Sequence, residues 1–380
     1  MKIGFYAPMK PPGHPVPSGD RKMARLLIEL LDSIGHEVVV LSTLRSWEGR
    51  GDRRRQQDIR HAANLELERL KRDDASRDLD LVFVYHVYHK APDWIGLDLA
   101  GFLGVPYLVA EASFAPRQAG GRWAEGHERA RACIRSADAI LCLNPADENC
   151  LRDLVAGPDI LQRILPFTSG PDSAASTPDR KAVVCRFPNL DADAVWLACA
   201  AMMRSGDKLR SYRELSAVLE MLPGQGWNLI VIGDGPARRE VERLFSKMAT
   251  RCLFVGELED PEVGKWLDMA DLYVWPSVNE AFGLALLEAV SHDLPALAYD
   301  YGGVGAIIED GANGFLVPAG ERTLFAGRLQ SMISDQAARE RMRSNARRKF
   351  FRDHRFQAAR SRVADILDRV LPTARRGQSR

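Results

Sequence analysis

Residues 271–290 read DLYVWPSVNEAFGLALLEAV. The run DLYVW, rich in aromatic and branched side chains and closed by Pro276, has the character of a short buried strand. The Ala- and Leu-rich GLALLEAV that follows is a helix former. Strand, polar loop and helix together make one βα unit, and the same alternation recurs along the whole chain. Two glutamates, Glu280 and Glu288, bracket the otherwise apolar segment. A helix opening at Phe282 or Gly283 puts Glu280 just before its first turn and Glu288 about two turns in, ~12 Å apart along the axis at 1.5 Å per residue.

Working outward on the amino-terminal side, KIGFYA reads as a strand, RKMARLLIELLDSIG as a helix with apolar residues at helical spacing, and HEVVVLS as a second strand. The arginine-rich helical stretch RRRQQDIRHAANLELERLKR follows. Then come LDLVFVYH (strand), DWIGLDLAGFLG (helix), VPYLVAE (strand), a charged helix to residue 135, and DAILCLN (strand). TSGPDSAASTPDRK, near 168–181, interrupts the rhythm with Ser, Pro, Gly and Asp and marks the region of a domain boundary. The alternation then resumes through AVWLACAAM, SYRELSAVLEML, WNLIVIG, PARREVERLFSKMA, CLFVG, a short helix, DLYVWP, the GLALLEAV helix, LPALAY and NGFLVP. From about 321 the chain is amphipathic helix. Strands separated by helices imply parallel sheets covered on both faces. The expected fold class is α/β: two Rossmann-like doubly wound domains facing a central cleft, with C-terminal helices. Their boundaries are 1–170 and 181–355, with a helix over 356–380 crossing back to the first.

A chain of 380 residues suits two domains, and 46% hydrophobic with 27% charged residues is ordinary for a globular protein. The formal charge of +1 argues against a chain dominated by nucleic-acid binding. MKIGFYAPMK lacks the long apolar stretch and cleavage site of a signal peptide, and the densest apolar run, WLACAAMM, is far too short to span a bilayer. The cysteines at 133, 142, 150, 185, 199 and 252 show no CxxC spacing and read as reduced thiols, so the expected location is cytoplasmic.

The open amides near Phe282, Gly283 and Leu284 supply a positive helix end suited to phosphate. A carboxylate on either side suits vicinal hydroxyls, and a nucleoside diphosphate sugar has that layout. The plainer alternative, Glu280 as a cap and Glu288 as a half-buried polar residue, stays open on this segment alone. In MMRSGDK, Arg204 and Lys208 follow an apolar strand, where two cations would neutralise a diphosphate; a solvated loop is the alternative. IGDGP, with Gly235, and the Gly302-Gly303 turn allow close backbone approach to a ligand, as ordinary βα turns also would.

As a set, these residues resemble retaining glycosyltransferases of the GT-B fold, family 4 type (group 1). The resemblance rests on Pro276, Ser277, Glu280, Glu288, Gly302, Gly303, Asp310, Gly311 and Gly314, joined by IGDGP and CLFVGELED. It is strong over roughly 195–320 and loose elsewhere. It implies that Glu288 binds the donor ribose, Glu280 the transferred sugar, and the amides of Phe282, Gly283 and Leu284 the distal phosphate. Arg204 and Lys208 would neutralise the diphosphate, with Gly256 and Leu258 against the base. Two positions depart from the family pattern: Met203 stands where glycine usually precedes the arginine, and Ala112 where many relatives carry a histidine. The implied chemistry is front-face and metal-independent, with the nucleotide sugar as co-substrate and no cofactor.

On the amino-terminal side, Gly19 lies at a helix start where backbone can approach diphosphate or acceptor, with Ser18 and Asp20 as capping alternatives. His86 and His89 lie at the end of a strand, followed by Glu111 and Ser113 at the end of the next; these are the candidates for the acceptor or sugar side, against a reading as ordinary loop residues. The three-residue His spacing has no third metal ligand, so no metal is expected. SWEGRGDRRRQQDIR and APRQAGGR set basic residues beside Trp47 and Trp123. Interleaved acids favour a solvated face, and peripheral association with the inner membrane surface is the alternative. The expected partners are a nucleotide-sugar donor and a glycan or lipid-linked acceptor. A catalytically weak GT-B-like binder of nucleotide or glycan, a nicotinamide dehydrogenase prompted by IVIGDGP, and a nucleotide-sugar epimerase are the competing readings.

Overall fold

The computed structural model describes residues 1–171, 179–280 and 282–377. The chain divides into two compact units, Met1–Leu165 together with Phe356–Arg380, and Pro166–Arg355. The Ser/Pro-rich stretch at 168–181 therefore begins just inside the second unit, and its residues 172–178 lie outside the described residues.

The first unit holds β1 (Lys2–Tyr6), β2 (Glu37–Ser42), β3 (Leu81–Val87), β4 (Tyr107–Ala112), β5 (Ala139–Cys142) and β6 (Leu161–Arg163) in the order β2-β1-β3-β4-β5-β6. The second holds β7 (Val195–Ala200), β8 (Trp227–Ile232), β9 (Cys252–Gly256), β10 (Leu272–Val274), β11 (Ala296–Tyr299) and β12 (Gly314–Val317) in the order β12-β11-β10-β7-β8-β9. Every pairing within the two sheets is parallel. Helices cover the strands, so central ones such as WNLIVI are apolar without alternation and buried throughout.

In each sheet the strand order reverses once, between β1 and β3 in the first and between β7 and β10 in the second. Such a switch point opens a crevice at the carboxyl ends of the two strands, where open α/β sheets bind ligands. The loops that matter here leave those four strand ends.

Local chemistry explains the flanking helices. In Gly19–Ser33, Met23, Ala24, Leu26, Leu27, Leu30 and Leu31 are buried on one face, and the Ser18 hydroxyl accepts the Arg21 N–H at 3.2 Å. Arg53–Arg72 buries Ile59, Ala63, Leu67 and Leu70 at three- and four-residue spacing. The helix Gly96–Leu103 is opened by Asp93, whose carboxylate accepts the amides of Ile95, Gly96 and Leu97 and the Tyr107 hydroxyl.

Three features differ from the sequence expectation. PARREVERLFSKMA is an α-helix over Arg238–Leu244 followed by a 3-10 turn, Ser246–Arg251, with Met248 outside helical geometry. The first sheet has a sixth strand, β6, whose three residues LQR are too short and polar to read as a strand. The helix Leu284–Ser291 starts later than Phe282, because Gly283 before it is left-handed (φ +73°). Glu288 is consequently about one turn into the helix. Among the described residues no helix is long and apolar enough to cross a membrane.

Candidate active site

At the switch point of the second sheet, the loop after β7 leads into the helix Asp207–Leu219, which carries Lys208 in its first turn. The loop after β10 carries Glu280. The Lys208 Nζ donates to Glu280 Oε2 at 2.5 Å, with the two side chains 24% and 20% exposed. The ammonium also lies 5.9 Å from the Trp275 ring centroid, a cation–π distance. The loop around Glu280 is tightly wound. Ser277 (φ +56°) and Asn279 (φ +57°) are both left-handed non-glycine residues, and the Glu280 N–H donates to the Ser277 carbonyl at 3.1 Å. Such strained positions cost about 1–3 kcal/mol each and cluster at working sites.

Glu288 is half-buried one turn into the following helix. The buried Tyr273 phenol bonds the Ala200 carbonyl at 3.3 Å; burial first, then Cys199 and the charges of Glu280 and Glu288, hold its proton on well above the ordinary tyrosine range. Both glutamates follow β10 in the chain, Glu280 in the loop after it and Glu288 in the helix Leu284–Ser291. Phe282 is half-buried and Gly283 buried just before Leu284 opens the helix.

The glycines of the neighbouring turns are required sterically. Gly235 has φ +148°, and a Cβ there would meet the Met203 carbonyl oxygen at 2.4 Å; Gly233 has φ +133° with the Ala201 carbonyl oxygen at 2.1 Å. Met203 is tied to this turn, its N–H donating to the Asp234 carbonyl and its carbonyl accepting the Ala237 N–H, while its side chain is buried in the core. The side chain at position 203 thus points inward. Gly256 (φ +83°) accepts the Gly233 N–H at 2.7 Å, and Leu258 beyond it is half-buried against the core. Arg204 is exposed and makes no ion pair among the described residues.

The first sheet has its own cluster at its switch point. His86, next to last in β3, is left-handed (φ +67°), with its Nδ1 3.1 Å from Asp20 Oδ1 and 3.7 Å from Glu111 Oε2. Glu111, also left-handed (φ +58°), is buried at the end of β4. Burial opposes the imidazolium, but Glu111, Asp20 and Asp147 outweigh it and push the His86 pKa up to about 9. Burial likewise raises the Glu111 carboxyl to about 7; His86 counteracts this, and the charges of Asp20 and Asp147 add to it. Ser113 follows β4 close to Asp147, on the short helix Pro145–Leu151; burial pushes the Asp147 carboxyl above the ordinary aspartate range. Gly19 is exposed at the helix start; of the two capping candidates, Ser18 caps and Asp20 turns to His86.

The structure thus brings together Lys208 with Glu280, and His86 with Glu111. It separates His89 from His86. His89 packs edge-on against Trp123, and burial, with Lys90, His127 and Arg117 nearby, lowers its pKa to about 4. Among the described residues no group of three or more His, Cys, Asp or Glu is arranged to hold a metal. Asp20 as a partner of His86 was missed, since its place beside a capping serine suggested a cap. Asp147 was missed too, although the Asn-Pro at 144–145 is a readable helix-start signal.

Residues 207–349 match the family model described as "Glycosyl transferases group 1". An alpha-D-kanosaminyltransferase from Streptomyces kanamyceticus is 28% identical over 228 residues, covering 59% of this chain and 57% of that protein. A D-inositol 3-phosphate glycosyltransferase from Jonesia denitrificans is 35% identical over 127 residues, 32% of this chain and 30% of the relative. The chain thus spans between about a third and just over half the length of these two curated relatives. Along nearly the whole chain the fold is similar to a sucrose-phosphate synthase from Thermosynechococcus elongatus, at TM-score 0.77 and 19% identity over 98% of this chain and 99% of that one. It is also similar to Anabaena HepE solved with UDP-glucose, at TM-score 0.72 and 16% identity over 97% of this chain and 99% of that one. The second unit therefore carries a glycosyl transferases group 1 domain, and the chain as a whole has the GT-B fold.

Proposed function

We propose that the protein is a retaining glycosyltransferase that moves a hexose-type sugar from a nucleoside diphosphate donor to a glycan, lipid-linked or small-molecule acceptor. The observation that carries this reading is the Lys208–Glu280 ion pair at the switch point of the second sheet. It sets a cation for a diphosphate against a carboxylate for sugar hydroxyls, with Glu288 on the next helix for the ribose. Arg204 adds a second cation, and the amides of Phe282, Gly283 and Leu284 face the distal phosphate. Gly235, Gly256 and Leu258 border the nucleotide. On the acceptor side, His86, Glu111 and Ser113 form the polar cluster, with Gly19 at its margin; His89, packed apart against Trp123, is the outlying candidate.

In the reaction, the bond between the anomeric carbon and the distal phosphate oxygen breaks. The acceptor oxygen bonds to the same face of the sugar, and its proton passes to the departing diphosphate. The protein's main contribution is charge stabilisation of that leaving group. No cofactor beyond the co-substrate enters this scheme. The names of the relatives, several of them glycosyltransferases with different acceptors, support the reaction class. Exposed Trp47 beneath Arg45, with exposed Arg50, Arg53, Arg54 and Arg55, supports a lipid-linked acceptor at the inner face of an anionic membrane, the protein being cytoplasmic and peripheral to it.

The test is a thermal-shift panel of UDP, GDP and ADP with their sugar conjugates and NAD, followed by an assay for nucleotide release. A ligand at 100 times its Kd adds ~2.7 kcal/mol of stability. One nucleotide family shifting the midpoint, with turnover of its sugar conjugate, supports the proposal. In that family Glu288→Ala should weaken nucleotide binding at least about tenfold, the loss of one charged hydrogen-bonding group. Binding without turnover favours the second reading, a non-catalytic nucleotide binder, for which Ala112 in place of histidine is the motivating feature. A shift by NAD alone overturns both.

A further inference from the structure

The loop that carries Glu280 meets the helix that carries Lys208 at a second point, through an uncharged side chain. Ser211 lies one turn along from Lys208 and is 1% exposed. Its hydroxyl donates to the Asp207 carbonyl at 3.0 Å and accepts the Val278 N–H at 3.0 Å. A serine hydroxyl has one proton and two lone pairs, so both bonds form together. Val278 is two residues before Glu280, inside the turn closed by the Glu280 N–H to the Ser277 carbonyl. The Ser277 hydroxyl is engaged with the Trp275 carbonyl at 3.1 Å and is not a substitute for Ser211.

We propose that Ser211 is a positioning residue for sugar transfer: by pinning Val278 to the first turn of the Lys208 helix, its hydroxyl fixes the reach of Glu280 relative to Lys208. This rests on the function proposed above. The ion pair cannot do the same job alone. A diphosphate arriving at Lys208 competes with Glu280 for the ammonium, so the pair loosens when the donor binds. The Ser211 bonds involve no group that a donor would take, so they persist and keep the carboxylate in place while the cation turns to phosphate. The turn has reason to move without them, since Ser277 and Asn279 both hold left-handed backbone.

The experiment compares Ser211→Ala and Ser211→Thr with the wild type. Threonine on a helix keeps a hydroxyl able to bond the carbonyl four residues back. The expected result is that Ser211→Ala lowers kcat about 10- to 100-fold, the scale of a sub-ångström to ångström misplacement. Its Kd for the nucleoside diphosphate should stay within about threefold, and Ser211→Thr should recover most of kcat. Wild-type kcat in the alanine variant overturns the proposal, as does a parallel loss of kcat and nucleotide affinity. A folded threonine variant as slow as the alanine one also overturns it.

A second readout needs no substrate: the rate at which acetic anhydride acetylates Lys208, followed by mass spectrometry with the exposed Lys247 as internal reference. Faster labelling of Lys208 in Ser211→Ala, with Lys247 unchanged, shows that the clasp holds the ion pair. Unchanged labelling overturns the proposal. If the wild type neither binds nucleotides nor turns over, the functional reading fails while the labelling still decides whether Ser211 sets this geometry.

Discussion

Replacing Glu280 by Gln keeps the side chain's shape and removes the charge that meets Lys208 at 2.5 Å. Three quantities should respond, and not in the same direction. Both partners keep a fifth or more of their side-chain surface in water, so the pair is worth about 1 kcal/mol to the fold. In a domain of this size that lowers the unfolding midpoint by about 2–4 °C. For turnover, the lost carboxylate removes charged hydrogen bonds to the sugar, each worth about 1.5–3 kcal/mol. At ~1.36 kcal/mol per decade, kcat falls between about tenfold and 150-fold. For nucleotide binding the sign reverses. Lys208 is released from its partner and available to a diphosphate, so the product nucleotide binds as tightly as before or up to several-fold tighter. The assay is calorimetric titration with whichever of UDP, GDP or ADP the panel selects, alongside nucleotide release from its sugar conjugate. Slower transfer with equal or tighter nucleotide affinity is the expected signature. Turnover unchanged, or both quantities falling by the same factor, refutes the assignment of the carboxylate to the sugar and of the ammonium to the diphosphate.

Two further outcomes test the frame around the site. Gly235→Ala should destabilise the second unit by at least about 2 kcal/mol, because it forces a Cβ onto the Met203 carbonyl in backbone geometry that alanine avoids; a chemical-denaturation midpoint equal to wild type would contradict this. The first unit should lose stability as pH rises. His86, held near pKa 9, contributes stability that is complete below its unfolded value of about 6.5 and is lost through pH 9. Glu111, raised to about 7, adds a loss in the same direction, complete below its ordinary range and gone above 7. The His86 part is on the order of 3 kcal/mol, and His86→Gln should flatten the unfolding midpoint between pH 6.5 and 9.5.

The two sheets were legible because strands buried on both faces, such as WNLIVI, are continuous apolar runs, while their helices carry apolar residues at helical spacing. What escaped were elements held by context: β6, a polar edge strand of three residues, and the kink at Met248. Glu280, Glu288 and Lys208 could be nominated by residue type and neighbourhood. That Lys208 and Glu280 touch could not be read locally, since 72 residues separate them and only the reversal of strand order brings their loops together. The same holds for Asp20 and His86, 66 residues apart across the other reversal. Ser211 gave no signal at all, because a serine on an amphipathic helix reads as a neutral spacer. The turn count to Glu288 went astray for a different reason: Gly283 was taken as helix, when its freedom of φ is used to end the loop.

The division of the chain also has a consequence for biosynthesis. The second unit, Pro166–Arg355, is one unbroken segment, and its entry and exit are tied together, with the His354 carbonyl accepting the Thr168 N–H and the His354 imidazole bonding the Pro166 carbonyl. The first unit is interrupted by that segment. Its last helix buries Val363, Ile366 and Leu367 and bonds the carbonyls of Ser33 and Arg163 through Arg360 and Arg362. On a ribosome adding roughly 5–20 residues per second, about 200 residues separate β6 from that helix, a wait of roughly 10–40 s. Throughout it the earlier-made half stays incomplete while the later-made half can already close. The order of synthesis and the order of completion are inverted, so the half bearing Lys208 and Glu280 is the first able to reach its final form.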